Sequence, residues 1–254
     1  MSKLMNPKLY AVVLKAAIES IKQGNTPSRL LFANTYLFRA ADMRYFQMRN
    51  GLITKECADN AIRVFDFGED RNRFSGYSPL PNYNNGGCYF FTNQGAGLGE
   101  MMHYAELEGV LPMNIESRRV SIPHMMATKC IFKVKLTKPL KVADISLYGP
   151  NAGNARTFLQ RVGRTEIWES GKATSVEKQF GVKLDAEAIG RHGDYSVTRA
   201  LGHAFCQFPQ YFSGLIAQTA RETERAGESG ENVCLFGPKG GKVDGLYVEG
   251  AHLF

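Results

Sequence analysis

The stretch KCIFKVKLTKPLKVADISL, Lys129 to Leu147, decides how the chain is read. Its first half sets Ile131, Phe132, Val134 and Leu136 among lysines, a pattern close to period two that predicts a strand over Lys129–Leu136. Pro139 to Leu147 is a second β-like run. On the N-terminal side, Leu30 to Arg39 is a short apolar run giving way to polar Ala40–Arg44, which reads as a strand or the entry to one. Asn84-Asn85-Gly86-Gly87 is a strong turn signal, followed by an aromatic strand over Cys88–Phe91. On the C-terminal side, Phe212–Gln218 and Asn232–Phe236 read as two late strands separated by the charged segment Arg221–Glu231.

Helical patterns are interspersed. Lys8 to Lys22 places Leu9, Val12, Val13, Ala16, Ala17 and Ile21 at the 3.6-residue period, and Gly24 and Pro27 end it. A helix running to about Leu107 has Leu98, Met101, Met102 and Ala105 as its apolar stripe. Asn154–Val162 and Thr174–Phe180 are short helical patterns, and Asp194 is placed to cap a helix running to about Phe208. Thr54 to Asn85 mixes aromatic and polar residues with Gly, Asn, Pro and Arg and reads as strand fragments and loops. A strand-rich body with helices but no regular βαβ alternation predicts the α+β class. The expected organisation is a helical extension over 1–29 and one domain over 30–254.

The composition bounds function. The chain has 254 residues, 44% hydrophobic and 22% charged, with a formal net charge of +7. That is enough for a core without staples. No stretch approaches the ~20 apolar residues of a membrane span, and Met1 to Lys15 lacks a signal-peptide shape; the expectation is a cytoplasmic protein with no membrane partner. Five cysteines, an odd number with no CxxC, argue against both a disulfide framework and a zinc ribbon. Histidines 103, 124, 192, 203 and 252 show no metal spacing, so no metal is assigned. The positive excess suits phosphate-bearing partners, although the basic residues are dispersed and solubility is the plainer account.

Four constellations can carry chemistry. The glycine-rich segment Gly95–Gly99 follows a strand and opens a helix, where backbone N–H groups meet anions; taken alone, a flexible strand-to-helix turn is the better account of it. Glu100 begins that helix and either complements its dipole or faces an oxocarbenium-like transition state. Arg39 closes an apolar run, where an arginine makes a structural ion pair or grips a pyrophosphate. Gln218-Thr219-Ala220-Arg221 ends a strand, at a turn or at the rim of a pocket.

The order of these motifs resembles the RES family, toxins of bacterial toxin–antitoxin pairs. The series runs from Leu37-Phe38-Arg39, through Gly86-Gly87 with Tyr89 and Glu100, to Phe132-Lys133-Val134 and Leu140 to Ser146. It continues in Tyr211 to Ile216, Thr219-Ala220-Arg221 and Asn232 to Phe236. The resemblance implies an ADP-ribosyltransferase-like fold and cleavage of NAD, as substrate, at its nicotinamide–ribose bond by hydrolysis or phosphorolysis. It implies that Arg39 neutralises the NAD phosphates and that Glu100 holds the ribose and stabilises the anomeric cation. Tyr89 stacks on nicotinamide beside Gly86 and Gly87, and Thr219, where the family has serine, hydrogen-bonds the substrate. Cys88 and Tyr89 follow the paired glycines directly, so Phe90 is an alternative counterpart of the family tyrosine. Tyr45–Asn82 has no counterpart in the family pattern and suits a macromolecular ADP-ribose acceptor, as in a transferase. An antitoxin protein is the partner implied, and a non-enzymatic nucleotide or nucleic-acid binding module is the third reading.

Overall fold

The computed structural model describes residues 6–24, 26–42, 53–64, 85–99, 129–147, 149–169, 171–185, 188–189, 195–218, 230–238 and 240–253. Asn6 caps the first helix, α1 (Pro7–Lys22), by accepting from the Leu9 amide at 3.1 Å, and Pro7 follows at the position where its missing N–H costs nothing. The strands are β1 (Ser28–Leu31), β2 (Tyr36–Asp42), β3 (Asn85–Phe91), β4 (Lys129–Leu136), β5 (Leu140–Asp144), β6 (Glu166–Glu169), β7 (Lys172–Ser175), β8 (Gly214–Gln218), β9 (Glu231–Pro238) and β10 (Leu246–Leu253). The further helices are α2 (Lys55–Ala61), α3 (Ala152–Arg164), α4 (Val176–Phe180) and α5 (Ser196–Cys206).

Eight strands form one sheet in the order β1-β5-β8-β9-β3-β2-β4-β10, antiparallel throughout except between β5 and β8. Short connections force this sheet to roll. β4 and β5 stand five places apart, ~24 Å in a flat sheet, yet only residues 137–139 join them, a reach of about 14 Å. β1 and β2 are also five places apart and are joined by residues 32–35. Asn34 turns that connection with φ +68°, a conformation asparagine tolerates, and its amide donates to the Leu136 carbonyl at 2.8 Å.

Rolling encloses a core to which every strand of the sheet contributes. Leu37, Cys88, Phe90, Phe132, Val134, Val142, Ile216, Val233 and Leu235 lie within it, and Leu246 and Val248 of β10 pack at its margin. The α2 residues Cys57 and Ala61 close one side. A second core lies between the opposite face and helices α1, α3 and α5, where Phe158, Leu159, Leu201 and Phe205 are fully buried. Each such side chain contributes roughly 2–3 kcal/mol. All eleven residues of α5 are buried.

The α+β reading is borne out in its coarse form: a mixed, mostly antiparallel central sheet with surrounding helices. Several local expectations change. Gly86 and Gly87 belong to β3, not to a turn, because Gly86 pairs with Gly237 and Gly87 with Phe236 of β9. Gly95, Gly97 and Gly99 are not a loop: residues 94–99 are helical, and Asn93 caps them by accepting from the Ala96 amide at 2.7 Å. The region expected to be strands and loops contains α2, and Thr174 is in β7, with the helix starting only at Val176. Within the expected N-terminal extension, α1 packs Leu9, Tyr10, Val13, Ala16, Ala17 and Ile21 into the helix-side core, and Ser28 and Arg29 are already in β1. The cap at Asp194 lies outside the described residues. Among the described residues no helix is long and apolar enough to cross a membrane.

Candidate functional site

Side chains alternate across a strand, so the position two steps beyond the last apolar inward residue also points inward. This rule gathers a polar cluster at one end of the rolled sheet. Arg29 stands two before Leu31, Asp144 two after Val142, Gln218 two after Ile216, and Glu231 two before Val233. Asp144 is fully buried and satisfied by three donors: Arg29 Nε at 2.9 Å, Asn151 Nδ2 at 2.9 Å and the Ser146 amide at 3.2 Å. The other two guanidinium nitrogens of Arg29 grip Glu231 in a fork at 2.6 and 2.8 Å. Burial works against the Arg29 charge, but the hydrogen bonds and charges of Glu231 and Asp144 outweigh it and raise its pKa.

Backbone and polar side chains complete the cluster. Gln218 accepts from the Leu147 amide at 3.2 Å. Thr92 and Glu231 hold each other: the Thr92 amide donates to the Glu231 carbonyl at 3.1 Å and the Glu231 amide to the Thr92 hydroxyl at 3.2 Å. Gly149 is required here, since a Cβ would lie 2.5 Å from Arg29 Nη2 and 2.7 Å from Glu231 Oε1. The buried Ser146 hydroxyl lies beside it, with no hydrogen-bond partner among the described residues. A cleft of about 270 Å³ adjoins the cluster at Leu147, lined also by Arg156, Glu177, Lys183 and Asp185. It is small against the ~300–1,000 Å³ of small-molecule sites and does not by itself house a dinucleotide.

The residues expected from the sequence separate into groups. Arg39 lies on the enclosed face, 7% exposed, with Nη1 donating to the Ala61 carbonyl at 2.8 Å, the Arg63 carbonyl at 3.4 Å and Cys88 Sγ at 2.5 Å. Ala61 ends α2, so this arginine occupies a carbonyl that the helix leaves open and complements the negative end of its dipole. Phe90 shares that face, its ring centroid 6.0 Å from the Arg39 guanidinium carbon, and is fully buried. Tyr89 points the other way and packs, partly buried, against the helix-side core. The structure therefore brings Arg39 together with Phe90 and sets Tyr89 on the opposite face. Gly86 and Gly87 are buried in β3. Glu100 and Thr219 lie outside the described residues.

Cys88 is not a reactive thiol: burial drives its pKa up to about 11 against the pull of Arg39. All five cysteines are buried, and none is in a disulfide. Among the described residues no group of three His, Cys, Asp or Glu side chains is placed to hold a metal ion.

Reading the sequence missed Arg29, Asp144, Asn151 and Glu231. A signal was present, because Asp144 and Glu231 sit in period with apolar strand residues and must point inward with them. Comparison with known proteins adds no relative: no family model, no curated protein and no solved structure matches the chain.

Proposed function

We propose that the chain consumes NAD by cleaving the bond between nicotinamide and ribose. The observation that carries this reading is where two strands end. β3 ends at Phe91, next to Thr92 and nine positions before Glu100 in the sequence, and β8 ends at Gln218, the residue before Thr219. Thr92 is hydrogen-bonded to Glu231, and Gln218 pairs with it in the sheet. Both chain segments thus leave the sheet on either side of one residue, which the Arg29–Asp144 pair holds rigid. In further support, the described segments of the series that resembles the RES family lie on or beside a contiguous run of strands, β5-β8-β9-β3-β2-β4.

In this reading the C–N bond breaks as nicotinamide leaves with the bonding electron pair, and Glu100 stabilises the positive charge developing on the anomeric carbon. Water, phosphate or a macromolecule then adds to that carbon and loses a proton. Arg39 is a positioning residue that fixes the end of α2 against the enclosed face, where Phe90 is part of the wall. Thr219 keeps the hydroxyl that the resemblance gives to the substrate contact.

The test is chromatographic measurement of nicotinamide released from NAD. Turnover by the unaltered chain and a loss of ~10²–10⁴-fold in Glu100→Ala are expected. No release at all would sink the proposal, and an unchanged rate in the variant would remove Glu100 from it. With labelled NAD, label retained on a protein or nucleic acid would identify a macromolecular acceptor.

A further inference from the structure

The outward face of β2, β4 and β10 sets aromatic side chains and lysines side by side. At its inner end a helical turn covers it: a Cβ on Gly97 would lie 3.4 Å from Phe91 and 3.7 Å from Ile131. At the other end it is open, and the register sets residues in rows across the three strands. One row is Tyr36, Lys135 and Tyr247; the next is Phe38, Lys133 and Gly250. Strands ~4.8 Å apart place the two tyrosines of the first row ~10 Å from each other with a lysine between them. Tyr247 is 59% exposed, and among the described residues nothing lies within 4 Å of where a side chain at Gly250 would begin.

Lysines dominate the charge here. Lys129, Lys133 and Lys135 alternate outward along β4, and Lys138 follows in the turn. The acids at positions on this face include Glu249, Asp42, which the register sets opposite Lys129, and, beside Lys138, Asp244. Lys133 lies 3.9 Å over the Tyr36 ring and 2.5 Å from Glu249, which also accepts from the Tyr36 hydroxyl at 2.9 Å. Solvation accounts for the lysines alone. It does not account for aromatic rings at outward positions on both sides of Lys135.

We infer that this face binds single-stranded nucleic acid. Bases stack on Tyr247, phosphates meet Lys135, and the opening at Gly250 lets a base lie close to the backbone, beside the Tyr36–Lys133–Glu249 group. Stacking on exposed rings combined with phosphate contacts is how sequence-tolerant single-strand binders work, and the positive surface matches the charge of the backbone. Glu249 competes with phosphate for Lys133, so it weakens the site that it helps to order. The inference stands apart from NAD cleavage, because it concerns binding on the outer face and not turnover.

The experiment is fluorescence anisotropy of the full chain with fluorescein-labelled 12-nucleotide single strands of DNA and RNA, at several salt concentrations. Binding that weakens with salt is expected, with unlabelled duplex of the same length competing at least ~10-fold less well. Tyr247→Ala should weaken binding by ~5-fold or more, the loss of one base–aromatic stack, and Tyr247→Phe should restore it. Lys135→Gln should lower the salt slope by about one, and Glu249→Gln should tighten binding. Absence of binding, equal competition by duplex, or a Tyr247→Ala variant that is folded by circular dichroism and binds normally would each overturn the inference.

Discussion

The enclosed face of the rolled sheet and the face beneath the helices bury polar groups by opposite means. On the enclosed face charge is retained. Arg29 meets two carboxylates, and each of its three nitrogens has an acceptor. Beneath the helices a titratable pair is held neutral, while the nearby Arg199 keeps its charge. The Tyr10 hydroxyl meets His203 Nδ1 between α1 and α5; burial pushes the tyrosine up to about 12 and the histidine down to about 4. Arg199 lies nearby, also buried, with its guanidinium over the Tyr195 ring at 5.7 Å. An ion stays charged in a core only where opposite charge and hydrogen bonds offset its desolvation; otherwise the neutral form prevails.

The largest way to break this contrast is Asp144→Ala, which leaves Arg29 and Asn151 without their shared acceptor. A loss of about 3–5 kcal/mol in urea denaturation is expected, and a loss under ~1 kcal/mol would mean that the cluster is not what binds β1, β5 and α3. Next comes pH. His203 takes up fewer protons folded than unfolded between its ordinary value of 6.5 and about 4, so its contribution is intact above 6.5 and is lost as pH falls through that window. The loss amounts to about 3 kcal/mol. Denaturation at a series of pH values should show it, and His203→Gln, which does not titrate, should flatten the slope.

A smaller effect is expected at Arg39, which sharpens the comparison because its Nη1 is spent on backbone carbonyls and a thiol and not on a carboxylate fork. Arg39→Met should cost about 1–3 kcal/mol by leaving the end of α2 with an unsatisfied carbonyl. Amide exchange should locate the loosening in α2; a uniform change would contradict the capping role. The smallest effect is expected at Trp168, the chain's single tryptophan, on the separate β6–β7 hairpin and 74% exposed. Trp168→Phe should change stability by less than ~0.5 kcal/mol, and acrylamide should quench its fluorescence readily in the unaltered chain.

Elements whose patterns are local were legible. α1 shows its 3.6-residue period and its stop, and β4, β5, β8 and β9 show runs bounded by turn or charged residues. The glycines misled, because their local preference was overruled by partners far away in the chain. Gly86 faces Gly237 across a ladder whose hydrogen bonds outweigh turn propensity. Gly97 sits in a helix packed on Phe91 and Ile131, where a Cβ would make ordinary van der Waals contact, so the packing and not glycine's preference for loops decides its conformation. Of the candidate site, Arg39 was visible as an arginine ending an apolar run, but whether it met phosphate or protein was not.

By itself the sequence determined the α+β class and the presence of α1, β4, β5, β8 and β9, since these follow from periodicities of two and 3.6 and from apolar runs that a short window contains. Tertiary structure alone decided that Arg29, Asp144 and Glu231 share one end of a rolled sheet and that Tyr89 and Arg39 look in opposite directions. Strand order is set by contacts between residues tens to hundreds of positions apart, and no local pattern encodes which strand lies beside which.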